Sequence, residues 1–140
     1  MTDDADRAVL AERVAAVQRH LQRVADRLPE DAGQLRPMDD ATDALILHLW
    51  QAVQITIDLA VSWCVRRGLG APTTYGDAFV RLGRAGAVDA ELAARLSRAA
   101  GFRDLLVHAY GDLDLARVHR IARDGPADLR AFLAALADQS

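Results

Sequence analysis

Residues 44–65 read ALILHLWQAVQITIDLAVSWCV, and the spacing of their apolar side chains decides the fold class. Ile46, Leu49, Val53, Ile57, Ala60 and Cys64 recur in three- and four-residue steps along one stripe, while Leu45, Ala52, Leu59 and Trp63 mark a second. A helix turns by about 100° per residue, so two stripes describe one helix buried on two sides. His48, Gln51, Gln54 and Asp58 interrupt the run, which argues for a core helix over a membrane span. The spacing predicts a helix reaching about Arg67, either central to a bundle or touching both its own bundle and a second copy. Asp39 or Asp40 is placed to cap its start, and Gly68-Leu69-Gly70-Ala71-Pro72 to stop it.

The flanking sequence supplies further helices and no strand. Leu10, Val14, Val17, Leu21, Val24 and Leu28 form the seam of an amphipathic helix ended by Pro29, and the stretch to Pro37 reads as a loop. Thr73 and Thr74 precede a short helix over Tyr75 to Arg84, closed by Gly83 and Gly86, in which Tyr75 and Phe79 are placed to pin the helix to the bundle. Asp89 caps a fourth helix through Leu92, Leu96, Ala99, Phe102 and Leu106 that ends near Tyr110-Gly111. Asp114 opens the last, interrupted or bent at Gly125-Pro126. With 140 residues, the reading is one domain over 1–140: an all-α up-and-down bundle of four main helices plus a short one.

Composition removes several function classes. All 17 basic residues are arginine, which excludes Schiff-base lysines and a phosphate-loop lysine. A net charge of -3 argues against nucleic-acid binding through the overall field, so any such binding must be local. Cys64, set among apolar residues, is read as a buried packing thiol in a reducing, cytoplasmic setting, and the acidic start Met1-Thr2-Asp3-Asp4 lacks a signal-peptide pattern. His20, His48 and His119 lack metal-ligand spacing, so no metal and no cofactor is expected, and polar contacts are their ordinary use. Trp50 and Trp63 read as core or dimer anchors, and Asp58 as solvent-facing.

Within the fourth helix stands Arg103-Asp104-Leu105-Leu106-Val107-His108-Ala109-Tyr110. Polar groups beside leucines are costly to bury unless they pair or work. Asp104 and His108 are four apart, so the carboxylate can support the imidazole as a general base. Arg103 precedes His108 by five residues, roughly 140° around the axis, and shares no face with it. A symmetric homodimer with paired motifs would join them. Gly101 inside this helix suggests a close backbone approach, and Arg95, Arg98 and Arg103 could form a local basic patch. A phosphodiester held by arginines beside such a histidine could be attacked by its own 2′-OH without metal, which suits RNA and not DNA. A plain alternative stays open: the same residues can form a satisfied polar cluster at a helix end, with Tyr110 merely packed.

The motif resembles the signature of HEPN proteins and, more closely, of the HepT-like toxins. Pro72-Thr73-Thr74-Tyr75-Gly76-Asp77-Ala78-Phe79, with Leu82, Gly86, Val88 and Gly101-Phe102, extends the resemblance over roughly residues 40–136. It implies a homodimeric, metal-independent endoribonuclease toxin that cuts RNA. Arg103 would stabilise the phosphate, His108 would act as acid or base, and Asp104 would be the variable polar residue, often Asn in relatives, that bears on cleavage preference and rate. It further implies neutralisation by a minimal nucleotidyltransferase antitoxin that transfers AMP to Tyr110, in a hetero-oligomer larger than the toxin dimer. Arg95 and Arg98 remain candidate RNA-binding residues. A competing reading is a non-catalytic helical subunit that binds a nucleotidyltransferase and presents its substrate, and a weaker one is a plain interaction protein.

Overall fold

The computed structural model describes residues 3–108 and 110–139, apart from the side chains of Asp3, Val107 and His108. Five α-helices follow one another: α1 Asp3–Arg27, α2 Asp40–Arg66, α3 Tyr75–Arg84, α4 Ala90–His108 and α5 Leu115–Asp138. Single 3-10 turns lie at Ala32–Gln34 and Tyr110–Asp112, and no strand occurs among the described residues. α1 pairs with α2 and α3 with α4, while α2 touches each of the other four helices. Both stripes read along residues 44–65 are accordingly buried, from Leu45 and Ile46 to Trp63 and Cys64. By length and composition α2 could cross a membrane, yet half of its most apolar window is buried inside the bundle.

The core falls into two clusters. One joins α1, the second half of α2, α3, the start of α4 and the end of α5, with Phe79 edge-on to Phe132 at 5.3 Å between ring centres. The other gathers Val24, Leu45, Ile46, Leu49, Phe102, Leu106, Val118 and Ala122 around the far end of α4. Phe102 is 1% exposed and Leu106 5%, so the helical turns carrying the polar motif are anchored from beneath. Complete burial of such a side chain contributes about 1.5–3 kcal/mol.

Polar detail fixes the joints. His20 Nδ1 lies 3.0 Å from His48 Nδ1 across the α1–α2 seam, so one ring must donate and the other accept. His119, buried on α5, donates from Nε2 to the Pro29 carbonyl at 2.7 Å. Cys64 is a free buried thiol whose Sγ approaches the Ala78 carbonyl at 3.3 Å, and burial pushes its pKa up.

Of four local expectations, three are corrected. α5 runs unbroken through Gly125-Pro126, because buried Val118 and Ala122 before it and Leu129, Phe132 and Leu133 after it hold one face to the core. α4 ends at His108, close to the expected Tyr110-Gly111, which lie in the 3-10 turn. Gly83 lies inside α3, and the turn falls at Gly86, whose φ of 78° suits glycine. Gly101 is exposed and a Cβ there would meet nothing within 4 Å, so no close backbone approach within this chain explains it.

Candidate functional site

α2, α3 and α4 converge on Arg103. The start of α3 is fixed first, since Thr74 Oγ1 accepts from the Asp77 amide at 3.0 Å and closes the helix N-terminus. Asp77 in turn accepts from the Thr73 amide at 3.0 Å and from Arg81 Nε at 2.7 Å, while Arg81 Nη1 donates to the Leu69 carbonyl at 2.8 Å. The Thr73 amide, then Arg81, hold the Asp77 carboxyl below its ordinary pKa. Gly76 lets α3 lie close on α4, because a Cβ there would stand 2.8 Å from Ser97 Oγ. This network places Tyr75, the first residue of α3.

The Arg103 guanidinium carbon lies 4.9 Å from the centre of the Tyr75 ring. Its Nε donates to Gln54 Oε1 on α2 at 2.7 Å, and its Nη1 donates to Asp104 Oδ1 at 3.1 Å. Gln54 is itself oriented, donating from Nε2 to Asp58 at 3.0 Å, and Asp58 faces solvent as expected. A guanidinium has five N–H donors, and among the described residues these two bonds leave the rest of the fork for an anion. The arginine side chain is only 20% exposed, which keeps its direction fixed. Tyr75 therefore meets the bundle through Arg103 of α4, while Phe79 and Leu82 are the side chains that α3 buries in the core.

Tyr110 stands at the other end of the same α2 face. Its hydroxyl donates to Asp43 Oδ1 at 2.6 Å, and the residue is 45% exposed. Burial and the Asp43 carboxylate push its pKa up to about 12. Between the two ends lies an apolar cleft of about 290 Å³ lined by Asp43, Ile46, Leu47, Trp50, Leu106 and Tyr110. Asp43, Leu47, Trp50 and Gln54 fall at steps of four, three and four on one face. At about 1.5 Å per residue, the anchors of Tyr110 and Arg103 are separated by roughly 16 Å along α2.

The other expected residues are distributed differently. Asp104, 56% exposed, pairs with Arg103. Its expected support of His108 falls on a side chain outside the described residues. The helix is continuous from Arg103 to position 108, so those positions keep their separation of roughly 140° around the axis. Arg95 and Arg98 do not join Arg103 in one patch. They line a groove of about 420 Å³ between α4 and α5 with Arg117, Arg120, Asp124 and Asp128, and Arg95 Nε pairs with Asp128 at 3.1 Å. Five residues at 100° each rotate Arg98 away from Arg103, whose partners outside α4 are on α2 and α3. Among the described residues no group of three or more His, Cys, Asp or Glu is arranged to hold a metal.

Gln54, Tyr75 and Asp43 are the residues that motif reading missed. Their signal was faint: polar side chains recurring at helical steps on the outer side of α2, and an aromatic one residue after a threonine cap.

Comparison with known proteins agrees with the fold. At 24% identity over 125 residues, covering 89% of this chain and 93% of the relative, the chain is similar to the mRNA nuclease HepT of Shewanella oneidensis. It superposes with a TM-score of 0.82 on a tri-AMPylated Shewanella oneidensis HEPN toxin in complex with an MNT antitoxin, at 24% identity, covering 93% of this chain and 97% of the other. A toxin–antitoxin crystal structure with AMP-PNP gives a TM-score of 0.83 at 22% identity, covering 94% and 98%. At these identities the structural likeness is one of fold. The family model for ribonuclease HepT-like proteins matches residues 14–136, most of the length of the chain, and the chain belongs to that family.

Proposed function

We propose that this protein is the toxin of a bacterial toxin–antitoxin pair, a metal-independent endoribonuclease of the cytoplasm that a minimal nucleotidyltransferase antitoxin silences by modifying Tyr110. The observation that carries the reading is the clamp on Arg103: Gln54, Tyr75 and Asp104 hold one guanidinium in a fixed direction with part of its fork unspent among the described residues. A fixed cation stabilises the charge that develops on a phosphate without reorganising during reaction. His108 supplies acid–base catalysis, removing the 2′-OH proton so that the 2′ oxygen attacks the adjacent phosphorus and the 5′ oxygen leaves. Product is a 2′,3′-cyclic phosphate and a 5′-hydroxyl end.

Two motifs complete the site. On one continuous helix Arg103 and position 108 stand on different sides, so a second copy brings the missing group to each cleft. Exposed Leu47 and half-buried Trp50 offer the apolar surface for that contact. Arg95 and Arg98, one groove away, guide the flanking RNA backbone. Tyr110, exposed at the end of the helix carrying the motif, is open to a transferase.

Purified protein incubated with RNA in excess EDTA tests the reading. Cleavage is expected from the wild type and lost in His108→Ala, with helix content and dimerisation unchanged. Equal cleavage by the variant refutes the role of His108. No cleavage by either, with Tyr110 shown unmodified by mass spectrometry, refutes the nuclease itself.

A further inference from the structure

We propose that Asp43 is the general base for nucleotidyl transfer to Tyr110, a role for which this chain brings its own carboxylate to the reaction. The inference rests on the reading of Tyr110 as the acceptor. The hydroxyl proton already lies on the line to Asp43 Oδ1, 2.6 Å away. Tyr110 is 45% exposed, so a triphosphate held by a partner can approach the phenolic oxygen while its proton stays directed at Asp43.

A base is needed because the phenol does not ionise in advance. With its pKa pushed up to about 12, only about one molecule in 10⁵ is phenolate at neutral pH. The proton must leave as the oxygen attacks. Two clefts flank the tyrosine, one lined by Ile46, Leu47, Trp50 and Leu106 and the other by Pro37, Met38, Thr42, Leu113 and Leu115. Asp43 is the one carboxylate lining either cleft among the described residues, and it lines both.

The step balances with a nucleoside triphosphate as co-reactant. Tyr110 Oη attacks the α-phosphorus and forms the Oη–P bond. The bond from that phosphorus to the bridging oxygen breaks, and pyrophosphate departs with the electron pair. The hydroxyl proton passes to the Asp43 carboxylate and then to solvent. Once transfer is complete the hydrogen bond no longer exists, and a phosphodiester anion lies beside the Asp43 carboxylate. Like charges at that distance repel, which favours movement of the modified tyrosine away from α2.

The test is single-turnover transfer of label from ATP radiolabelled at the α-phosphate, catalysed by the partner nucleotidyltransferase, between pH 6 and 9. Tyr110→Phe is expected to take no label. Asp43→Asn, nearly isosteric and checked by circular dichroism, is expected to slow labelling by about 100-fold and to make the rate climb about tenfold per pH unit, as reaction through free phenolate requires. Asp43→Glu should recover part of the wild-type rate and its flatter profile. Labelling of Asp43→Asn at the wild-type rate overturns the inference while leaving Tyr110 as acceptor. A slow variant with an unchanged pH profile also overturns it, by reducing Asp43 to a structural role. Label on Tyr110→Phe removes the underlying assignment and the inference with it.

Discussion

Two glycines, one in α3 and one in α4, should respond to the same substitution with opposite signs. At Gly83 an added Cβ would stand 2.8 Å from the Ala93 Cβ across the α3–α4 contact. Carbon atoms prefer about 3.5–4.0 Å, so the helices must separate by roughly 0.7–1.2 Å, and a methyl group directly on a backbone cannot rotate aside. Overpacking of this kind costs about 1–3 kcal/mol, against which alanine gains about 1 kcal/mol of helix propensity. Gly83→Ala should therefore lose about 1 kcal/mol and roughly 3–5 °C in Tm. At Gly101 nothing lies within 4 Å of the added Cβ, so Gly101→Ala should gain about 0.5–1 kcal/mol and roughly 2–4 °C. Thermal melts followed by circular dichroism, run at two protein concentrations tenfold apart, provide the measurement. A Gly101→Ala variant less stable than the wild type at both concentrations would refute the reasoning, because some group of the same chain would then have to occupy the open space. A loss seen only at the higher concentration would instead place a second copy against Gly101, two residues before Arg103.

The remaining predictions concern charge. Asp104 shares Arg103 with any incoming phosphate, so Asp104→Asn should tighten RNA binding by about two- to five-fold at low salt and leave Tm unchanged; weaker binding in filter or anisotropy titrations would show the carboxylate to be needed for alignment. Burial, followed by Arg19, lowers the His20 pKa, and burial, followed by His20, Arg27 and Arg23, lowers that of His48. Because the unfolded chain then binds protons more readily than the folded one, stability from this pair is complete above about pH 6.5 and is lost as pH falls through the lowered folded values. Melts of the wild type should drop in Tm below pH 6.5, well before the carboxylates titrate. His20→Gln should flatten that slope, and an equal slope in the variant would assign the effect elsewhere.

How much of this was legible in the sequence follows from the range of the interactions. Helix positions depend on residues three and four apart, so the stripes along 44–65, the α1 seam and the Thr74 cap all could be read directly. Pro126 misled because its local cost is real. Its effect on the path of α5 is set by the buried side chains before and after it, which no local rule contains. Gly101 misled in the opposite way, since a glycine suggests a close neighbour and the chain supplies none.

The site obeys the same division. Residue types and their spacing marked Arg103 and Tyr110, but the groups that give those side chains a direction come from 49 and 67 residues away, Gln54 to one and Asp43 to the other. Both partners lie on α2, whose inner faces build the core, and that makes the outer face rigid by necessity. A side chain bonded to such a helix inherits its fixed position, so the arginine and the tyrosine are oriented by the helix that packs against all the others. Asp104 escapes this frame: it is mostly exposed, adjacent in sequence to the arginine it contacts, and free to exchange that contact for solvent when a phosphate arrives. The orientation of Arg103 therefore belongs to the fold, whereas the strength of its charge toward an incoming anion is set locally, by a carboxylate that can change without disturbing the bundle.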